Sequence, residues 1–139
     1  MKLTISKAVP GLPIPLFMNY VPAGFPSPAE GHLDDTLDLN QLLIAHPAAT
    51  FFVRVQGESM QGANIHSEDV LIVDRSLEPK NRDIVVAVLN GEFTVKRILK
   101  KEGKLLLAAE NNRYPPIEVR EGEDFQVWGV VTYVIHKAR

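Results

Sequence analysis

From Thr50 onward the chain is a succession of short runs in which apolar side chains alternate with polar ones or crowd together. Successive side chains of an extended chain point to opposite faces, so such runs predict strands. They fall at Thr50–Gln56 around Phe52 and Val53, Val70–Asp74, Asp83–Leu89, Glu92–Leu99, Leu105–Ala109 and Val127–Ile135. Asn90-Gly91 stands between two of them, and Asn-Gly is the strongest short signal for a two-residue hairpin loop. That loop pairs Leu89 with Glu92, Ala87 with Thr94 and Val85 with Lys96. Residues 85, 87, 89, 92, 94, 96 and 98 then share one face, while Ile84, Val86, Val88, Phe93 and Val95 share the other. Apolar residues on both faces predict a hairpin buried on both sides, with Lys96 inside it. Arg97, on the opposite face, is the candidate for a solvated cation or an ion pair.

The pattern is different before residue 38. Residues 8–29 hold six prolines, at positions 10, 13, 15, 22, 26 and 28. They forbid helix and weaken strand pairing, which predicts an extended, mobile arm. Asp34-Asp35-Thr36-Leu37-Asp38 reads as a polar approach to a short helix. Asp38 caps it, Leu39, Leu42 and Leu43 share its face, and Pro47 stops it. The expected fold is mostly β: a compact antiparallel β domain over 39–139 with one short helix, preceded by the arm over 1–38.

Composition narrows the possible functions. A chain of 139 residues fits one domain, and 45% hydrophobic with 23% charged residues is usual for a soluble protein. A net charge of -2 argues against a protein that mainly grips nucleic-acid phosphates. The absence of cysteine excludes disulfides, thiolate metal sites and a cysteine nucleophile, and is compatible with a reducing compartment. Lys7 and Pro10 interrupt the N-terminus before a signal peptide can form, and no stretch approaches the roughly 20 apolar residues that span a bilayer. A cytoplasmic protein without membrane association is expected.

Two residues carry candidate chemistry: Ser59, in Gly57-Glu58-Ser59-Met60, and Lys96, 37 positions later. A serine hydroxyl attacks only when a base takes its proton, and lysine is such a base only when burial lowers its pKa. A lysine inside a doubly buried hairpin either snorkels to the rim or is desolvated. Ser59 by itself reads as a turn serine. It is not a nucleophile elbow, because Gln61 stands where that motif needs glycine. A Ser–Lys dyad cleaves peptides by serine attack on a carbonyl, with the backbone N–H groups of Glu58 and Ser59 placed to hold the oxyanion. Ala23-Gly24, in the extended arm, is a dipeptide small enough for a narrow cleft, although alone it reads as a linker turn. The four histidines, His32, His46, His66 and His136, lack metal-ligand spacing, and surface or capping roles are expected; no metal or cofactor is predicted. A triad of Ser59, one histidine and Asp69, Asp74 or Asp83 fits the composition, but nothing singles out a histidine. Lys100-Lys101 and Lys137–Arg139 read as solvated ends rather than nucleic-acid sites.

A set of segments occurring in order adds to this reading: Ala23-Gly24-Phe25-Pro26-Ser27-Pro28-Ala29, Leu37–Ile44, Gly57-Glu58-Ser59-Met60, Leu71–Asp74, Asp83-Ile84-Val85, Gly91–Arg97 and Trp128–Thr132. Together they resemble the UmuD/LexA family of self-cleaving Ser-Lys peptidases from about residue 16 onward. The resemblance implies that Ser59 is the nucleophile, Lys96 the general base and Ala23-Gly24 the scissile pair. It implies a homodimer, cleavage within a chain or between partners, and stimulation by a RecA filament on single-stranded DNA. The product, Gly24–Arg139, is then expected to join an error-prone DNA polymerase of the UmuC type in SOS translesion synthesis. Pro22 departs from the pattern. It removes an N–H that would help dock the arm, which predicts slower cleavage or a changed dependence on the filament. LexA-type repressors carry a helix-turn-helix domain before the cleavage site. The 23 residues before Gly24 are too few and too proline-rich for one, so direct sequence-specific DNA binding is not expected. Two other readings remain: a non-catalytic β-rich interaction module of the same fold, and a peptidase acting on other proteins, as signal peptidase does. The built-in Ala-Gly pair and the lack of a membrane anchor weigh against the latter.

Overall fold

The computed structural model describes residues 2–7, 13–17, 23–24 and 33–139. Its elements, in chain order, are β1 (Lys2–Lys7), β2 (Pro13–Phe17), β3 (Leu33–Asp38), α1 (Leu39–Leu43), β4 (Thr50–Gln56), β5 (Val70–Asp74), β6 (Ile84–Leu89), β7 (Glu92–Lys101), β8 (Lys104–Ala108), β9 (Ile117–Val119) and β10 (Phe125–Ile135). They form two units. One combines Met1–Ala8 with His46–Arg139; the other is Val9–Ala45. Among the described residues, no helix is long and apolar enough to cross a membrane.

The larger unit is an eight-stranded antiparallel sheet in the order β1-β4-β5-β10-β6-β7-β8-β9. It curls into a half-barrel, so that its first strand, β1, also approaches β7. The β6–β7 hairpin has the register read from the sequence, with Leu89 opposite Glu92, Ala87 opposite Thr94 and Val85 opposite Lys96. Asn90 (φ 51°) and Gly91 (φ 81°) both take the left-handed backbone that the tight loop needs. The hairpin is also buried on both sides. Val86 and Val95 join a cluster with Val53, Val55, Met60, Ile65, Leu71 and Val73, whereas Val85, Ala87 and Ile98 join Leu107 and Val130 in a second. β10 lies between β5 and β6, and its register shifts between Val127 and Gly129 and between Val131 and Tyr133 let it follow both neighbours.

The smaller unit contains β2 paired antiparallel with β3, followed by α1. Asp38 caps α1 as expected, its Oδ1 accepting the Asn40 N–H at 2.9 Å. Residues 34–38 lie in a strand rather than a polar lead-in, and Pro13 and Pro15 lie in β2, where pairing was expected to be weak. In a two-stranded sheet each strand is an edge, and prolines spaced by two fit positions whose N–H would point away from the partner. Pro47 does more than stop α1: it opens a one-turn 3₁₀ helix over Pro47–Ala49. Lys2–Lys7, read as part of the arm, form an edge strand of the main sheet. The expectations for Pro22 and His32 concern residues outside those described, as does most of the arm's expected mobility.

Candidate active site

β4 ends at Gln56, and the chain turns at Gly57 (φ 114°), which presents Ser59 just beyond the strand. The serine turn is anchored on two sides. Met60 is wholly buried in the first core cluster. Its carbonyl accepts from Ala63 N at 3.0 Å and Ile65 N at 3.2 Å, closing the 3₁₀ turn Gln61–Ala63. The segment after β8 holds the other side. Gly62 N donates to the Glu110 carbonyl at 2.6 Å, and the Asn111 side-chain amide donates to the Glu58 carbonyl at 2.8 Å. A side chain at residue 62 would force the backbone to shift, since its Cβ would lie 2.5 Å from the Glu110 carbonyl oxygen. Glu110 is itself held by the Arg97 guanidinium, whose Nη1 also donates to the Arg82 carbonyl at 2.6 Å. Arg97 thus forms the ion pair considered for it.

Lys96 reaches the serine from β7. Its Nζ lies 3.2 Å from Ser59 Oγ and 3.3 Å from the Val95 carbonyl. Ser59 is 5% exposed and Lys96 8%. No carboxylate lies within salt-bridge distance of Nζ among the described residues. Burial therefore acts unopposed and pushes the Lys96 pKa below its ordinary value. The lysine is desolvated rather than snorkelling. When its amine is neutral, it accepts the hydrogen bond from the Ser59 hydroxyl, the arrangement from which that proton can be taken. The N–H groups of Glu58 and Ser59 have no acceptor among the described residues. A cleft of about 470 Å³ opens beside the pair, walled by Leu89, Phe93, Tyr114 and Ile117.

Ala23 and Gly24 lie in a bend of the smaller unit, and both are exposed. The histidine triad is not formed, because Ser59 is bonded to Lys96. Asp74 is held instead by His46 Nδ1 at 2.6 Å, and Asp69 by His136 Nδ1 at 2.7 Å, with His66 against the His136 ring at 5.2 Å. Among the described residues no group of three or more histidine and carboxylate side chains is arranged to hold a metal. Asn111 and Gly62 were not singled out from the sequence. They lie 15 and 34 residues from Lys96, in a turn and a loop whose pattern carries no periodicity. Only the pairing of the two segments gives them a role.

The Peptidase S24-like family matches residues 15–132. Protein SamA of Salmonella typhimurium is 47% identical over 125 residues, covering 90% of this chain and 86% of that protein. Protein MucA of Escherichia coli is 43% identical over 121 residues, covering 86% and 82% respectively. The LexA repressor of Psychromonas ingrahamii is 36% identical over 129 residues, covering 92% of this chain and 60% of the repressor. With a curled antiparallel sheet of the LexA/UmuD type and these relatives, the chain belongs to the S24-like serine peptidases, the self-cleaving family of the SOS response.

Proposed function

We propose that this chain cuts its own Ala23–Gly24 bond, with Ser59 as nucleophile and Lys96 as general base. The observation that carries the reading is the 3.2 Å contact between two buried side chains, Ser59 Oγ and Lys96 Nζ. Neutral Lys96 takes the Ser59 proton as Oγ attacks the Ala23 carbonyl carbon. The N–H groups of Glu58 and Ser59 hold the resulting oxyanion. As the intermediate collapses, the Ala23–Gly24 C–N bond breaks and the Lys96 ammonium passes its proton to the departing Gly24 amine. Water, deprotonated by Lys96, then hydrolyses the Ala23–Ser59 ester and restores both side chains.

The substrate is part of the protein, so one slow event suffices. A switch of this kind needs the arm to occupy the cleavage pose rarely until a partner favours it. We assign that role to a RecA filament on single-stranded DNA, and the use of Gly24–Arg139 to a UmuC-type error-prone polymerase, with the chain acting as a homodimer. The test is to incubate the purified chain at mildly alkaline pH, with and without activated RecA filament, and follow its denatured mass. Loss of residues 1–23, abolished by Ser59→Ala and by Lys96→Ala, is expected. A chain intact under both conditions would instead favour the non-catalytic module.

A further inference from the structure

We propose that the outer edge of β4 is a strand-docking site, and that residues 1–23 remain bound there through β1 after the chain is cut. Self-cleavage then yields a two-chain complex rather than a free core. The inference rests on the proposed cut at Ala23–Gly24, which leaves β1 on one product and β4 on the other.

β1 pairs with β4 along its whole length, from Lys2 opposite Gln56 to Lys7 opposite Phe51. The alternation of its sequence matches that pairing. Leu3, half-buried, stands opposite Val55 and packs against the same core cluster, while Ile5 stands opposite Val53 and stays 38% exposed; Val53 and Val55 are themselves wholly buried. Lys2, Thr4 and Ser6 take the other face, opposite Gln56, Arg54 and Phe52. Lys2, exposed at one end of the strand, is a common kind of guard on a sheet edge. β1 also approaches β7, the strand of Lys96, so it lies where the curled sheet comes nearest to closing.

None of these contacts depends on an intact Ala23–Gly24 bond. Losing β1 would expose the outward N–H and C=O groups of β4 and uncover part of Val53 and Val55. Main-chain hydrogen bonds with alternate side chains in register are a sufficient mode of peptide binding. Release of residues 1–23 is therefore a second step, separate from the chemistry. Any other strand reaches the edge of β4 only by displacing β1.

Two preparations test this. One is the self-cleaved full chain. The other is a Ser59→Ala chain carrying a site-specific protease sequence between Ala23 and Gly24, cut by that protease. Each is passed over a sizing column under native conditions at micromolar concentration and read by mass spectrometry. The expected result is co-elution of the N-terminal fragment with the core, lost on adding denaturant. Leu3→Asp or Thr4→Pro, in chains whose uncut circular dichroism is unchanged, should also release it. A fragment that elutes alone from either preparation, or that stays bound despite both variants, would overturn the docking. A chain that never cuts itself but keeps its fragment after protease treatment would count against the proposed function alone and support the docking.

Discussion

The burial of Lys96 costs the fold stability. The side chain is buried with no carboxylate within salt-bridge distance among the described residues, so its charged form is less favourable in the folded chain than in the unfolded one. Between the lowered folded value and the ordinary unfolded one, the unfolded chain binds more protons. Stability from this residue therefore rises with pH across that window and is lowest beneath it. Lys96→Met should raise the melting temperature at neutral pH, by the equivalent of roughly 1 kcal/mol, and flatten this alkaline rise while abolishing cleavage. Thermal melts of both chains across pH check it; a lower melting temperature would contradict it. Asn111 acts through the serine turn, its amide fixing the Glu58 carbonyl and so the peptide plane that leads to Ser59. Asn111→Asp keeps the acceptor used by Arg113 N but loses the donor to Glu58. It should slow cleavage roughly tenfold to a hundredfold. First-order cleavage rates of the two chains check it, and any move of the pH midpoint should be upward, because the added carboxylate favours the charged form of Lys96. Lys96 was legible in the sequence because a two-residue loop fixes register arithmetically. Asn111 was not, since its partner is 53 residues away and nothing local marks the contact.

At the scale of elements, the strands from β4 to β8 and β10 could be read because each is an apolar run bounded by turn residues. The missed ones failed for separate reasons. β9 is only three residues long, too short for alternation to register. β2 contains two prolines, and the rule against them holds for central strands rather than for a two-stranded sheet. β1 does alternate, Leu3 and Ile5 against Lys2, Thr4 and Ser6, but its partner follows a long interval with no hairpin signal. The serine turn is an element in its own right, docked on residues 110–111 by a contact that admits no Cβ at position 62 without a backbone shift. Gly62→Ala must shift the backbone at Glu110 or the turn itself. It should destabilise the fold by about 1–3 kcal/mol and slow cleavage at least about tenfold. Denaturant melts and cleavage rates measured on the same protein check both parts, and wild-type values for both would contradict the packing.

At the scale of the whole molecule, two histidine–aspartate pairs tie distant segments of the larger unit. His136, past the end of β10, is held by Asp69, and His46, ahead of β4, is held by Asp74. Burial raises the Asp74 pKa, but hydrogen bonds from Ser76 and His46 outweigh it and leave the carboxyl below its ordinary value. Its contribution is present above the unfolded carboxylate pKa and lost as pH falls through the folded one. Asp74→Asn should therefore cost stability at neutral pH and lessen the loss on acidification, as urea melts at neutral and acid pH would report. An undiminished acid loss would assign that loss to other groups. The strand order could not be read from the sequence, because bringing β10 between β5 and β6 depends on long-range packing. The self-cleaving function was legible through the ordered motifs rather than through any one residue.

The central claim is that Lys96, its pKa lowered by burial, activates Ser59 against the chain's own arm. The most direct measurement is the first-order rate of self-cleavage as a function of pH, read by denatured mass. The rate should rise with pH through a single ionisation below the ordinary lysine range and then level off, with Ser59→Ala and Lys96→Ala inactive throughout. Cleavage that persists in Lys96→Ala, or a rate indifferent to pH across that range, would contradict it.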